Sequence, residues 1–179
     1  MVEPSEQLQL VFDKAVDVSK KLHHKYVTIE HLLFAMLCED SFAKIIEGYG
    51  ADPEFLKKNV ENYLKTQTET IQLDKAQAKK YKPKKTHAVE RVLNRAFTQV
   101  LFSGRNHIDC SDVFLSIMNE KKSWSYYHIS KCNIDKDKFA DYLSNEVADS
   151  YEDEEMQGMA TRALRSFTSN LNSEVDKGK

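Results

Sequence analysis

Thr28-Ile29-Glu30-His31-Leu32-Leu33-Phe34-Ala35-Met36-Leu37 decides the fold, because its apolar part returns 81 residues later as Val113-Phe114-Leu115-Ser116-Ile117-Met118. The same offset lays Val11-Phe12 on Val92-Leu93, Ala15 on Ala96, Val16 on Phe97 and Val27 on Ile108. A residue suited to capping a helix precedes each run, Thr28 and Asp109, and an acid follows, Glu39 and Glu120. Toward the end of each copy the offset grows to 83, where Ala51-Asp52 meets Ile134-Asp135, Leu56 meets Phe139 and Val60 meets Leu143. A two-residue insertion accounts for the change. A unit that recurs with an apolar stripe it cannot cover alone predicts two packed, pseudo-symmetric halves.

The period within each copy is helical. From Glu6 to His23 apolar residues recur at Leu8, Val11, Phe12, Ala15, Val18 and Leu22, with Asp13, Lys14, Asp17, Lys20 and Lys21 on the other side. Thr28 caps a second helix, Ile29 to Cys38, which is apolar nearly all round and therefore predicted to be the most buried element. A third spans Ser41 to Glu47 and closes at Gly48 or Gly50; Asp52-Pro53-Glu54 opens a fourth that runs to about Leu64. The second copy repeats the plan near Ala88 to Phe102, Ser111 to Asn119, Ser123 to Ser130 and Lys136 to Val147. The expected fold is all-α, a pseudo-twofold tandem repeat of two four-helix units.

Composition agrees. Five glycines and three prolines in 179 residues leave the chain helical throughout. A chain of this length buries about 70% of its unfolded surface without metals or disulfides. The net charge of −2 argues against a globally basic nucleic-acid binder. Cys38, Cys110 and Cys132 are widely spaced with no CxxC pair, which fits a reducing, cytoplasmic compartment, and no apolar run approaches the roughly 20 residues of a membrane span. The connector, residues 66–85, gathers Lys79, Lys80, Lys82, Lys84 and Lys85 around Pro83 and reads as a solvated loop. The acidic run Asp149, Glu152, Asp153, Glu154 and Glu155 lacks an apolar stripe, as a flexible linker does. The repeat domain is therefore expected over residues 1–147, with copies at about 6–65 and 86–147 and an acidic linker over 148–162.

Few residues suggest chemistry. His31 and Cys38 are seven residues apart on one helical face near His23 and His24, but a hydrogen-bonded core histidine explains His31 better than a metal does. The cysteines lie among apolar neighbours or at helix ends and read as small buried hydrophobes. The lysine cluster lacks interleaved aromatics and a recognition helix. Trp124, Tyr126 and Tyr127 read as packing residues, an exposed subset of which would anchor a protein partner. No G-x-x-x-x-G-K-[ST] phosphate loop, catalytic triad or cofactor loop occurs, and Lys177-Gly178-Lys179 is no substitute. Catalytic, metal and nucleotide-binding residues are all expected to be absent.

Thr28 to Leu37 resembles the first-repeat signature of the N-terminal domain of the Clp/AAA+ protein-unfolding ATPases. The helix beginning near Val89-Glu90-Arg91-Val92-Leu93, then Ser103-Gly104-Arg105-Asn106 and Glu120, resembles the ClpA-type second repeat more than the ClpC or ClpB type. That likeness spans about residues 6–147. Beyond it, Ala163-Leu164-Arg165-Ser166-Phe167-Thr168-Ser169-Asn170-Leu171 resembles the segment entering the first ATPase module, over residues 163–179. The resemblance thus implies a piece of a longer unfoldase or a gene truncated at that point, with ATP and Mg needed only by the missing modules.

What the resemblance implies for function is the docking of adaptors and substrates, with no bond made or broken. In ClpA-type proteins the adaptor is ClpS, substrates pass to a ClpP-type peptidase, and the acidic tether concentrates cargo near the pore. The implied adaptor-binding residues are Glu30, Thr86, Arg91 and Lys25, the last departing from a position that is typically acidic in the family. Alone the chain is expected to be a monomer; the parent would be a hexamer. A freestanding regulator that competes for adaptor is the alternative, ahead of a small helical nucleic-acid binder.

Overall fold

The computed structural model describes residues 1–66 and 81–145. The middle of the connector, the acidic linker over 148–162 and the segment 163–179 lie outside the described residues. The chain divides into two compact units, Met1–Lys136 and Asp137–Lys179.

Helix α1 (Glu6–Lys21) begins where Ser5 Oγ accepts a hydrogen bond from the Leu8 N–H at 3.1 Å, and it buries Leu8, Val11, Ala15 and Ser19. Its counterpart α5 (His87–Phe102) begins where Thr86 Oγ1 accepts from the Val89 N–H at 3.2 Å, and it buries Val89, Val92, Ala96 and Val100. Each cap and each buried residue lies 81 positions from its mate. So do the two left-handed residues that close the helices, His23 at φ 58° and Gly104 at φ 75°. The signature helix α2 (Ile29–Leu37) is buried at all nine positions, and α6 (Cys110–Ile117) repeats it with Val113, Phe114 and Ile117 fully enclosed. Burying such side chains stabilises by about 1.5–3 kcal/mol each. Cys38 caps α2 rather than extending it, and α1 stops at Lys21 because His23 leaves the helical region.

Helix α3 (Asp40–Tyr49) is longer than its apolar pattern suggests and ends on left-handed Gly50 at φ 110°, the later of the two glycines expected there. Asp52 Oδ1 accepts from the Glu54 and Phe55 N–H groups at 3.0 and 3.2 Å to start α4 (Pro53–Thr66). In the second copy Ser123 caps α7 (Trp124–Lys131), and Asn133 at φ 59° stands 83 residues from Gly50. Residues 136–145 form α8, so eight helices among the described residues fall into two sets of four. The insertion now has a place. Two residues, Cys38 and Glu39, join α2 to α3, whereas residues 118–123 join α6 to α7, and the added length brings Lys121-Lys122 ahead of Trp124.

Among the described residues two pairs of short strands accompany the helices, and the fold stays all-α as expected. Parallel two-residue strands pair β1 (Glu3–Pro4) with β4 (His107–Ile108), and β2 (Tyr26–Val27) with β3 (Lys84–Lys85). Exchanging the copies turns β1 into β3 and β4 into β2, so each pair is the twofold mate of the other. Lys84-Lys85 is therefore a short strand with both side chains exposed. Across the same axis the rings of Phe42 and Phe114 meet edge to face at 5.3 Å, both fully buried.

Candidate functional site

The β2–β3 pair brings two of the four sequence-predicted residues together from different copies. The Lys84 N–H donates to the Lys25 carbonyl at 3.3 Å, and the Thr86 N–H donates to the Val27 carbonyl at 3.2 Å. Lys25 is half-buried with its Nζ 5.7 Å from the Tyr26 ring centroid; exposed Lys85 sits 5.8 Å over the ring of Phe12. With exposed Lys84 these cations make a basic edge. Thr86 spends its hydroxyl on the α5 cap.

Arg91 is exposed farther along α5, where its guanidinium meets Glu120 at 2.8 Å; Arg95 meets the other oxygen of Glu120 at 2.8 Å and also donates to the Ser116 carbonyl. The two arginines, Arg91 foremost, hold the Glu120 carboxyl below the ordinary range. Arg91 thus fastens α5 to the end of α6.

Glu30 is 8% exposed. Its Oε2 accepts from the Ser125 N–H at 3.1 Å and from the Ser125 hydroxyl at 2.6 Å, at the positive end of α7. Burial raises its pKa, and the Ser125 bonds oppose the rise. The carboxylate therefore ties the two copies together. Nothing in the sequence pattern pointed to Ser125, because its partner lies 95 residues away.

Behind the basic edge lies a buried histidine pair. The Thr28 N–H donates to His31 Nδ1 at 2.9 Å, so His31 carries its proton on Nε2, which faces His24 Nδ1 at 2.8 Å. His24 then holds its own proton on Nε2, which is buried without a partner. Burial, with His24 next to it, pushes the His31 pKa down to about 3; burial, then His23, lowers that of His24. His31 is the hydrogen-bonded core histidine that its place in the helix implied. Among the described residues no group of three or more His, Cys, Asp or Glu could hold a metal ion. Burial raises all three thiols, Cys110 to about 12, so none is a poised nucleophile. Trp124 and Tyr127 are 48% and 38% exposed and form the exposed aromatic subset.

Known proteins share the family and the fold. The family model for the Clp repeat (R) N-terminal domain matches residues 3–131. A ClpA homolog protein of Fuscovulum blasticum is 26% identical over 144 residues, which are 80% of this chain and 18% of that protein. Two solved structures share the fold. One comes from an investigation of a malarial protein secretion system (TM-score 0.69, 13% identity, 80% of this chain and 93% of the other); the second is the N-domain of ClpV from Vibrio cholerae (TM-score 0.61, 18% identity, 79% and 85%). With the signature helix, its twofold mate and the paired strands in place, the chain belongs to the Clp repeat N-terminal domain family and is a Clp ATPase N-domain.

Proposed function

We propose that this N-domain docks an adaptor of the ClpS type, or a protein substrate directly, for a ClpA-like unfoldase that feeds a ClpP-type peptidase in the cytoplasm. A Clp N-domain is non-catalytic, so the work is binding. The observation that carries the reading is the β2–β3 pairing, which sets Lys25 of the first copy beside Lys84-Lys85 at the end of the connector and Thr86 of the second copy. Such an edge suits an acidic partner face, because opposite charge steers encounter and rejects like-charged competitors. Lys25 makes it more basic than the ClpA-type pattern, so the adaptor is one with a complementary acid. Arg91 and Glu30 are engaged elsewhere, by Glu120 and by Ser125.

Calorimetric titration of the chain with a ClpS-type adaptor tests this. Binding at micromolar Kd or tighter, weakened about tenfold by Lys25→Glu, supports the assignment. Binding that requires Lys25→Glu would show an edge adapted to another partner. No binding by either protein removes the adaptor and leaves direct substrate capture.

A further inference from the structure

The second copy carries a surface that the first lacks. At the 83-residue offset Ser41, Phe42, Lys44 and Ile45 of α3 become Trp124, Ser125, Tyr127 and His128 of α7. In the first copy Phe42 is fully buried against Phe114; in the second the matching Ser125 turns to Glu30, and the large rings move outward. Trp124 and Tyr127 stay 48% and 38% exposed. They cluster with His128 and with Tyr63 of α4, centroids 5.2 to 6.4 Å apart. Lys131 lies 4.6 Å over the Tyr127 ring, and the inserted Lys121 and Lys122 are exposed just ahead of Trp124. From residue 121 to 134 there is no acid, and Glu120 before it is engaged by Arg91 and Arg95.

We propose that the Trp124–Tyr127–His128 face of α7, with Tyr63, is a docking surface for an acidic, apolar segment of a partner protein. Three lysines with no acid in their own segment favour Asp and Glu, and the half-exposed rings supply the apolar anchor that makes such contacts tight. His128 adds to this. Both of its ring nitrogens are buried without a hydrogen-bond partner among the described residues, and a carboxylate supplies the acceptor that its N–H lacks once the ring turns outward. Nucleic acid fits less well, since Trp124 on Tyr127 at 86° and Tyr127 on His128 at 69° meet edge to face and do not present their rings as one parallel stack. The proposal goes beyond adaptor docking at the β2–β3 edge and survives the failure of that reading.

Trp124 is the only tryptophan, so its fluorescence reports directly. The full chain is titrated with a peptide alternating Asp and Glu with Leu, and with the same peptide carrying Asn and Gln. The acidic peptide is expected to change Trp124 emission saturably, and its neutral twin to bind at least about tenfold more weakly. By anisotropy of the labelled acidic peptide, Tyr127→Ser and Lys131→Gln each lose about tenfold, with unfolding midpoints confirming that both variants fold. Equal binding of the two peptides, no binding, or tighter binding of oligothymidylate would overturn the proposal. So would peptide binding seen only after Glu152, Asp153, Glu154 and Glu155 are made amides, which would assign the face to the chain's own acidic run.

Discussion

His24 and His31 hold in the first copy the places that Arg105 and Asp112 hold in the second, 81 residues on, and the two pairs solve one problem with opposite chemistry. Each must position the turn before a signature helix and satisfy the N–H of its cap. Asp112 accepts the Asp109 N–H at 2.8 Å while Arg105 grips its carboxylate at 2.5 and 3.2 Å. His31 accepts the Thr28 N–H at 2.9 Å and leans on His24. The ion pair works where the Arg105 side chain is 47% exposed; the histidines are 1% and 0% exposed, where a charged pair would lose more in desolvation than it gained. Burial selects neutral rings, and those rings respond to acid.

The largest effect that could break the comparison is removal of the inner member of each pair. His31→Leu takes the acceptor from the part-buried Thr28 N–H and leaves His24 unpaired, and is expected to cost about 3 kcal/mol, against about 1 kcal/mol for Asp112→Leu, both from urea unfolding. Equal costs would mean that the exposed pair bears as much as the buried one. Grafting is the next test. His24→Arg with His31→Asp carries the ion pair into the core and should lose about 2 kcal/mol at neutral pH. Arg105→His with Asp112→His moves the rings outward and should lose less than about 1 kcal/mol.

Acid sharpens the contrast. Both histidines have folded pKa values below the unfolded 6.5, so the unfolded chain binds the extra protons. Their stability contribution is whole above pH 6.5 and falls with pH from there toward about 3 for His31, by up to about 1.4 kcal/mol per unit for each ring. Glu30 runs the other way. Its raised pKa makes it a contributor at low pH whose share shrinks as pH rises above 4.5. Stability measured from pH 7 to 5 should therefore drop more steeply in the wild type than in His24→Leu/His31→Leu, where His128, its pKa also lowered by burial, still titrates. Smallest of all, Arg105→Gln should cost about 0.5 kcal/mol and less in high salt.

The fold was legible because burial repeats. Leu8 with Val89, Val11 with Val92 and Leu33 with Phe114 keep their apolar character across the offset, and the caps Thr28 and Asp109 mark the helix starts. The paired strands escaped notice, since Glu3-Pro4 and Tyr26-Val27 are too short to carry a period and find partners far along the chain. Glu30 was named as an adaptor-binding acid by likeness alone. Its burial depends on Ser125, a contact between copies that local pattern does not encode. Lys25 and Thr86 were named separately by likeness, and the strand that joins them was the missing piece.

The central claim is that the adaptor reads the β2–β3 edge and ignores its twofold mate, β1–β4. The edges share geometry and differ in charge: Lys25, Lys84 and Lys85 on one, Glu3 and His107 on the other. Hydrogen exchange of the chain with and without a ClpS-type adaptor measures this directly. The expected footprint is slowed exchange over residues 25–30 and 84–91, with residues 3–8 and 106–112 unchanged. Protection of β1–β4 instead, or of both edges equally, would contradict it.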